Sequence, residues 1–147
     1  MMKIGAALIL MAAVGLSVPE MLRPDERALA DVRLSQPSFT PGDSGLLLVS
    51  FRLPPDHHVN SDPAVDLAVP GQTLIMLCGT PIVSSQEDSN VLSTDTPVCQ
   101  KFFVPRNAAI TSASLDVMVT YFYCSDVAGW CRMRTDTCRV SLNILSP

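Results

Sequence analysis

Two segments in the last third of the chain have apolar residues at every second position. In residues 115–123 the intervening positions are themselves partly apolar, which indicates a central strand that is covered on both faces. In residues 138–144 the intervening positions are polar, which indicates a strand with one face in solvent. Both segments are therefore predicted to be β-strands.

Shorter apolar runs precede these two segments, and most are bounded by proline or glycine. They cover residues 46–53, 74–78 and 98–104, and residues 32–34 could begin a first strand. Six or seven short strands separated by turns, with no amphipathic helix among them, predict an all-β fold of the β-sandwich kind. Residues 79–97 are polar and are predicted to form a long loop with a poorly defined strand near Val91 and Leu92.

The beginning of the chain is typical of an export signal. Lys3 is followed by an uncharged, mostly apolar run over residues 4–18, which suits a signal peptide and is short for a membrane span of about 20 residues. A charged stretch separates this run from the small residues at 28–30, so an uncleaved N-terminal anchor is the alternative. We expect residues 1–30 to be a signal peptide or anchor with a charged linker, and residues 31–147 to form one exported domain.

Composition narrows the choice of function. The net charge is −4, so nothing indicates a nucleic-acid partner, which would call for a basic face. No Ser/His/Asp arrangement, phosphate-binding loop or paired-carboxylate motif indicates a hydrolase or a nucleotide enzyme. No cofactor and no metal site are predicted.

The five cysteines all lie in the predicted exported domain. Export places them where disulfides persist, and the odd number leaves at least one thiol free, bonded to another molecule or engaged in exchange. The connectivity cannot be deduced from sequence. The pair Cys124 and Cys131 is the best candidate for a disulfide, and Cys78 with Cys99 is a plausible second, structural bridge. Cys138 lies in phase with the apolar face of its strand and is expected to be an inert buried thiol.

Cys124 and Cys131 enclose six residues that include the turn formers Ser125, Asp126 and Gly129. A small exposed disulfide hairpin is a site where an incoming thiolate can reach sulfur. A structural disulfide and metal ligation are the alternatives. The structural bridge would stabilise only modestly, by about 2–3 kcal/mol for so small a loop, and zinc sites usually have two to four residues between their ligands. Thiol exchange is the interpretation that the spacing favours.

Several side chains near the pair have both a structural and a functional interpretation. Aromatic residues around the hairpin are either core residues or a collar that shields the disulfide and contacts a partner, and Trp130 is the best candidate for a contact, with Tyr123 and Phe122. His57 and His58 are adjacent. Each is interpreted as a turn residue that hydrogen-bonds to the backbone, as a metal ligand or as a group that changes the pKa of a thiol. On a strand they would point to opposite faces. Further along, Arg132 and Arg134 are either solvated charges or stabilisers of a Cys131 thiolate.

Three stretches resemble the N-terminal periplasmic domain of the bacterial thiol:disulfide interchange protein DsbD. The first is Phe39-Thr-Pro-Gly42 with the run to Leu53, and the second is Pro54-Pro-Asp-His-His-Val-Asn-Ser61 with Pro63 and Val69-Pro70. The third and most specific runs from Val119 through Tyr-Cys-Ser-Asp-Val-Ala-Gly-Trp-Cys131 and on to Leu145. Together they span roughly residues 32–145.

This resemblance implies an immunoglobulin-like β-sandwich in which Cys124 and Cys131 cycle between dithiol and disulfide. It implies that Cys131 forms the mixed disulfide with partners and that Cys124 resolves it. The domain would relay reducing equivalents from a membrane thiol reductase to periplasmic thiol proteins of the thioredoxin-like or disulfide isomerase kind. The chain departs from the family in its longer cysteine loop and its three further cysteines, and we expect it to act without a transmembrane or thioredoxin-like domain on the same chain. A non-catalytic exported domain that binds a partner and has structural disulfides is the alternative function.

Overall fold

The computed structural model describes Arg27 and residues 29–147. Within this part of the chain every regular element is a β-strand. The nine strands are β1 (Ala30–Leu34), β2 (Ser38–Phe39), β3 (Ser44–Phe51), β4 (His57–Val59), β5 (Asp66–Ala68), β6 (Met76–Ile82), β7 (Val98–Phe103), β8 (Thr111–Ser125) and β9 (Trp130–Ile144).

The strands form two sheets. One sheet has four strands in the order β1-β3-β7-β6, and the other has five, in the order β2-β9-β8-β4 with β5 also pairing with β8. All pairings are antiparallel except that of β2 with β9. The two sheets pack face to face, so the predicted all-β, immunoglobulin-like β-sandwich is confirmed.

Alternating side chains of both sheets fill the space between them. From the four-stranded sheet, Leu47 and Val49 are at most 1% exposed, and from the five-stranded sheet Val117, Val119 and Leu142 are fully buried. The alternation in residues 115–123 and 138–144 that predicted two strands is therefore the alternation between core and outer face. Burial of this apolar surface is the main source of the free energy that holds the two sheets together.

Strands β8 and β9 form one long hairpin that carries the cysteine pair at its tip. They pair without a break from Thr111 with Ile144 to Ser125 with Trp130, and residues 126–129 close the turn. Strand β9 begins eight residues earlier than the segment in which the alternation was visible. Its first half mixes polar and apolar residues on both faces, and this is why the period of two does not stand out there.

The predicted long loop over residues 79–97 is only partly a loop. Strand β6 continues to Ile82 on the sheet edge, with an irregular register between Cys78 and Ile82. Two isolated bridges, Asn60 with Val91 and Ser85 with Leu92, then hold the segment against the end of β4. The expected weak strand near Val91 corresponds to these bridges, and Leu92 contributes to the core with 2% of its side chain exposed.

A buried carboxylate attaches the start of the domain to the hairpin. Asp136 of β9 accepts hydrogen bonds from the backbone N–H groups of Leu29 (2.8 Å) and Ala30 (3.0 Å) and from the hydroxyl of Tyr121 (2.6 Å). It also pairs with Nε of Arg134 at 2.9 Å. These contacts fix the point at which the chain enters β1.

The predicted export signal or anchor lies outside the described residues, apart from Arg27 and the first residues of the domain. Among the residues that the structure describes, there is no helix long and apolar enough to cross a membrane.

Candidate functional site

The predicted disulfide between Cys124 and Cys131 is present. The two residues are direct cross-strand partners in β8 and β9, with Cα atoms 4.1 Å apart and an S–S bond of 1.98 Å. One further pair, Ser125 with Trp130, separates them from the turn. The turn is closed by a hydrogen bond of 2.9 Å from Gly129 N–H to the Ser125 carbonyl, and Gly129 has the positive φ of 69° that glycine adopts readily.

The two ends of the disulfide differ in their access to solvent. Cys124 is 2% exposed, because β8 lies between β9 and β4, whereas Cys131 lies on β9 and is exposed. The cross-strand neighbour of Cys124 on β4 is His58, and Oδ1 of Asn60 lies 3.7 Å from its sulfur. A thiolate from solvent therefore reaches Cys131 rather than Cys124.

An aromatic cluster lies on the other face of the hairpin. Tyr123 and Trp130 are the chain neighbours of the two cysteines, so strand alternation directs them to the opposite side. His57 stacks on Tyr123 with ring centroids 5.0 Å apart, and Trp130 meets both rings edge to face at 5.9 Å and 5.6 Å. The Arg132 guanidinium lies 4.4 Å from the centroid of the Trp130 ring. This cluster stabilises the end of the sandwich.

The disulfide shares its face with a different set of apolar side chains. Phe122 of β8 pairs with Met133 of β9, and this is the next pair along the hairpin on the face that carries the cysteine pair. Met133 is 67% exposed and Val127, in the turn, is 81% exposed. Of the three predicted partner contacts, the structure thus places Phe122 beside the disulfide and places Tyr123 and Trp130 behind it. Partner binding by any of them stays a prediction.

Met133 was missed by sequence reasoning. It lies between two arginines in a polar stretch, so its period with Cys131 could be seen only once β9 was known to begin at Trp130. The two arginines are engaged away from the disulfide, since Arg132 contacts Trp130 and Arg134 pairs with Asp136. Stabilisation of a Cys131 thiolate by either arginine stays a prediction.

The adjacent histidines point to opposite faces, as the alternation of a strand predicts. His57 is in the aromatic cluster, and its Nδ1 lies 2.7 Å from the carbonyl oxygen of Pro55. His58 is on the side of the disulfide, and its Nδ1 lies 2.6 Å from Oδ1 of Asp126 in the hairpin turn. The backbone N–H of Asp126 donates to the Asp56 carbonyl at 2.8 Å, which ties the same turn to the start of β4.

The expectation of a bridge between Cys78 and Cys99 was wrong, because both are free thiols in the structure. Cys78 is opposite Lys101, and Cys99 is opposite Ile82, because the irregularity in β6 displaces the two cysteines along their strands. Each thiol instead lies 3.6 Å from a carbonyl oxygen two residues earlier in the chain. The register is therefore the physical reason that the pair does not meet.

Cys138 is also a free thiol and is half-buried. Its sulfur lies 3.2 Å from the carbonyl oxygen of Ala30, to which the thiol donates. Burial raises the pKa of this thiol, and the nearby charges of Asp136 and Asp31 raise it further. These conditions favour the protonated, unreactive form of Cys138.

Two further observations bear on the function of the site. Over residue 27 and residues 29–147, no group of three or more histidine, cysteine or acidic side chains is arranged to hold a metal ion. No family model matches the sequence, and no curated protein is significantly similar to it. The geometry of the hairpin and the resemblance of its residues are therefore the basis for assigning a function.

Proposed function

We propose that this protein is a periplasmic thiol–disulfide exchange domain that acts through the Cys124–Cys131 pair. The observation that carries the proposal is the unequal exposure of the two cysteines, with Cys131 exposed and Cys124 2% exposed. An exchange disulfide needs one sulfur that a partner can attack and a second that stays close enough to reverse the reaction. The tip of the β8–β9 hairpin provides both.

The chemistry proceeds in two displacements. A partner thiolate attacks Sγ of Cys131, a new S–S bond forms between the partner and Cys131, and the sulfur of Cys124 leaves with the electron pair of the broken bond. In the second step another thiolate of the partner attacks the partner sulfur in this mixed disulfide and releases the Cys131 thiolate, which leaves the partner oxidised and the cysteine pair reduced. Run in the other direction, the Cys131 thiolate attacks a partner disulfide, and Cys124 then attacks Cys131 to leave the partner reduced.

The surface around Cys131 suits a protein partner. Met133 is largely exposed and Phe122 is half-buried, and the two are cross-strand partners on the face of the disulfide, so an apolar patch lies next to the accessible sulfur. Methionine is unbranched and polarizable and adapts to partners of different shape. Contact with this patch would bring a partner thiol to Cys131 and lower the entropic cost of the attack.

The resemblance to the DsbD N-terminal domain supports a particular role for this exchange reaction. By that resemblance the domain receives reducing equivalents from a membrane thiol reductase and passes them to thioredoxin-like or disulfide isomerase proteins in the periplasm. No cofactor takes part, since the cysteine pair itself holds the two electrons.

Trapping of mixed disulfides tests the proposal. Each variant is made in a background that carries Cys78→Ser, Cys99→Ser and Cys138→Ser, so that the three other thiols cannot form adducts. With Cys124→Ser added, Cys131 has no resolving thiol, and we expect reducible higher-mass adducts after expression in a bacterial periplasm and acid quenching. With Cys131→Ser added instead, the remaining Cys124 is buried, and we expect few adducts or none.

The outcome is read against the background variant that keeps both Cys124 and Cys131. Adducts only with Cys131→Ser would overturn the assignment of the two roles. An absence of adducts with either variant, both folded by circular dichroism, would contradict the proposal as a whole.

A second candidate function is a non-catalytic exported domain that binds a partner and uses the disulfide only for stability. The observation that favours it is the burial of Cys124, which shields one end of the bridge. The reduction potential separates the two functions, because structural disulfides in exported proteins lie below about −300 mV and exchange disulfides lie higher.

A further inference from the structure

Three residues on three neighbouring strands form a row on the face that carries the disulfide. His58 of β4 is directly opposite Cys124 of β8, and Cys124 is directly opposite Cys131 of β9. Directly opposed residues in antiparallel strands have Cβ atoms about 4.5–5.5 Å apart and point to the same side. The imidazole of His58 is therefore a titratable side chain on the neighbouring strand, on the same face as the buried cysteine.

Asp126 fixes the orientation of that imidazole. It lies in the hairpin turn directly after β8, and its Oδ1 lies 2.6 Å from Nδ1 of His58. An ionised carboxylate only accepts hydrogen bonds, so Nδ1 is the nitrogen that keeps its proton. Proton gain and loss then take place at Nε2. The His58 side chain is 25% exposed, which leaves it open to exchange protons with solvent.

The buried position of Cys124 creates the need for a proton donor. When the S–S bond breaks, the electron pair stays on the sulfur of Cys124, and a charge there has little contact with water because the residue is 2% exposed. The polar side-chain atom that contacts this sulfur, Oδ1 of Asn60 at 3.7 Å, is an acceptor. It can accept a hydrogen bond from a protonated thiol, and it offers nothing to a thiolate.

We propose that His58, positioned by Asp126, transfers the proton for exchange at the Cys124–Cys131 disulfide; this inference rests on the proposed function. A partner thiolate forms a bond to Sγ of Cys131, the S–S bond breaks, and the imidazolium of His58 gives a proton to the departing sulfur of Cys124. The products are the mixed disulfide on Cys131, the neutral Cys124 thiol and neutral His58. In the opposite direction, in which the reduced pair reduces a partner disulfide, neutral His58 takes the proton of the Cys124 thiol, the Cys124 thiolate forms a bond to Sγ of Cys131, and the partner leaves as a thiolate. His58 is thus the proton donor and acceptor, and Asp126 is a positioning residue.

Few other groups near His58 change charge in the relevant range. The charged residues that contact His58 or line a cavity with it are Asp126, Asp56 and Arg52, and an arginine stays protonated throughout this range. Carboxylates ordinarily titrate below pH 5, whereas imidazole titrates between pH 5 and 8. The chain has two histidines, and the second, His57, lies on the opposite face with Nδ1 at the Pro55 carbonyl. His57 is therefore a matched control.

The experiment measures how fast the oxidised protein reacts with dithiothreitol between pH 5 and 8. Each rate constant is divided by the concentration of dithiothreitol thiolate, so that ionisation of the attacking thiol does not contribute. Because the departing sulfur needs a proton donor, we expect this thiolate-specific constant to fall between pH 5 and pH 8, the range in which imidazole side chains ordinarily lose their proton. In His58→Asn the side-chain amide keeps a hydrogen-bond donor near Asp126 but cannot give up a proton. The thiolate-specific rate constant of this variant should not change with pH. At pH 5–6 it should be about 10²-fold lower than the wild-type value, which is the lower end of what proton transfer contributes.

The controls separate proton transfer from stability and from the proposed function. His57→Asn should keep the wild-type profile, and the wild-type rate at pH 5.5 should slow in D2O while that of His58→Asn should not. A flat profile for the wild-type protein, or a profile that survives His58→Asn, would overturn this inference and leave exchange itself intact. A wild-type disulfide that reacts no faster than the same disulfide in urea-denatured protein would contradict the proposed function. The wild-type profile and isotope effect decide the matter even if a variant does not fold.

Discussion

At the scale of single residues, Asp136 is a buried carboxylate that is surrounded by hydrogen-bond donors. It is 6% exposed, and it accepts hydrogen bonds from two backbone N–H groups, a tyrosine hydroxyl and an arginine. Burial alone would raise the pKa of Asp136, but the hydrogen bonds from Tyr121, Ala30, Arg134 and Leu29 outweigh it and hold the pKa below its ordinary value. The charge is therefore a stabilising element of the fold.

Replacing this carboxylate should destabilise the domain. Asp136→Asn removes the charge and turns one acceptor into a donor that faces other donors, so we expect a loss of about 3 kcal/mol in the free energy of unfolding, as for breaking a buried pair. Urea unfolding followed by circular dichroism measures it. Asp116→Asn is the matched control, because Asp116 pairs with Arg139 on the surface, where such pairs contribute little. Equal losses in the two variants would contradict the role of Asp136.

The same carboxylate makes stability depend on pH in a defined direction. Its pKa is lower in the folded than in the unfolded protein, so its contribution is complete above the unfolded value of about 3.9 and is lost as pH falls through the lower, folded value. We expect the wild-type protein to lose stability below about pH 4 more steeply than Asp136→Asn does. Thermal midpoints measured from pH 7 to pH 2.5 test this, and parallel curves for the two proteins would contradict it.

The three free thiols should react at different rates. The pKa of Cys138 is raised by burial and by the charges of Asp136 and Asp31, and its thiol donates to the Ala30 carbonyl. Less thiolate is then present at neutral pH, so iodoacetamide should label Cys138 more slowly than Cys78 and Cys99 in the folded, oxidised protein. Peptide mapping by mass spectrometry gives the order. Cys138 labelled first would show that this thiol is more accessible than the structure indicates.

At the scale of single strands, Gly45 in β3 is required by the packing of two aromatic rings. Phe39 and Phe102 meet edge to face with centroids 5.1 Å apart, directly over the glycine. A Cβ at Gly45 would lie 2.6 Å from Cζ of Phe102 and 2.7 Å from Cζ of Phe39. Both rings belong to residues that are 1% exposed, so they have little room to move.

Gly45→Ala should therefore destabilise the sandwich through overcrowding. Overpacking costs about 1–3 kcal/mol, and the loss of chain entropy in the unfolded state returns about 0.4–1 kcal/mol, so we expect a net loss of about 1–2 kcal/mol in urea unfolding. Ser44→Ala, at the exposed neighbouring position, is the control and should change little. If Gly45→Ala were as stable as this control, the aromatic packing over the glycine would be looser than described.

The strands that bury alternate residues were the ones that the sequence predicted. Residues 115–123 and 138–144 alternate because one face of each is core. The first half of β9 showed no alternation because its inward positions are Arg132, Arg134 and Asp136. Arg132 contacts the Trp130 ring, and Arg134 pairs with Asp136. Asp136 also accepts hydrogen bonds from Tyr121 and from the start of β1. Contacts of this kind join distant parts of the chain and leave no periodic signal.

The candidate site was predictable only in part, for the same reason. Cys124 and Cys131 are close in sequence, and their pairing followed from the hairpin between them. His58 belongs to a strand of three residues, too short to show a period, and it meets Asp126 across 68 residues of sequence. The Cys78–Cys99 bridge was wrong because an irregular register between β6 and β7 cannot be inferred from composition.

At the scale of the whole molecule, the β-sandwich fixes the position of the β8–β9 hairpin, and the disulfide lies at the tip of that hairpin. The core residues of β8 end at Tyr123, and the next residue is the buried cysteine of the pair. On one face of the tip the aromatic cluster joins the hairpin to β4, and on the other the disulfide lies among Phe122, Met133 and His58. The exposed sulfur is thus presented by a rigid element, which favours a defined geometry for attack.

The reduction potential of the Cys124–Cys131 disulfide tests the central claim most directly. A variant carrying Cys78→Ser, Cys99→Ser and Cys138→Ser is equilibrated in glutathione or dithiothreitol redox buffers, quenched with acid and alkylated, and the fraction reduced is read by mass spectrometry. An exchange disulfide should be half reduced at a potential above about −300 mV, in the range where cellular thiol–disulfide proteins operate. A midpoint below about −300 mV would make the bridge structural and would contradict the account.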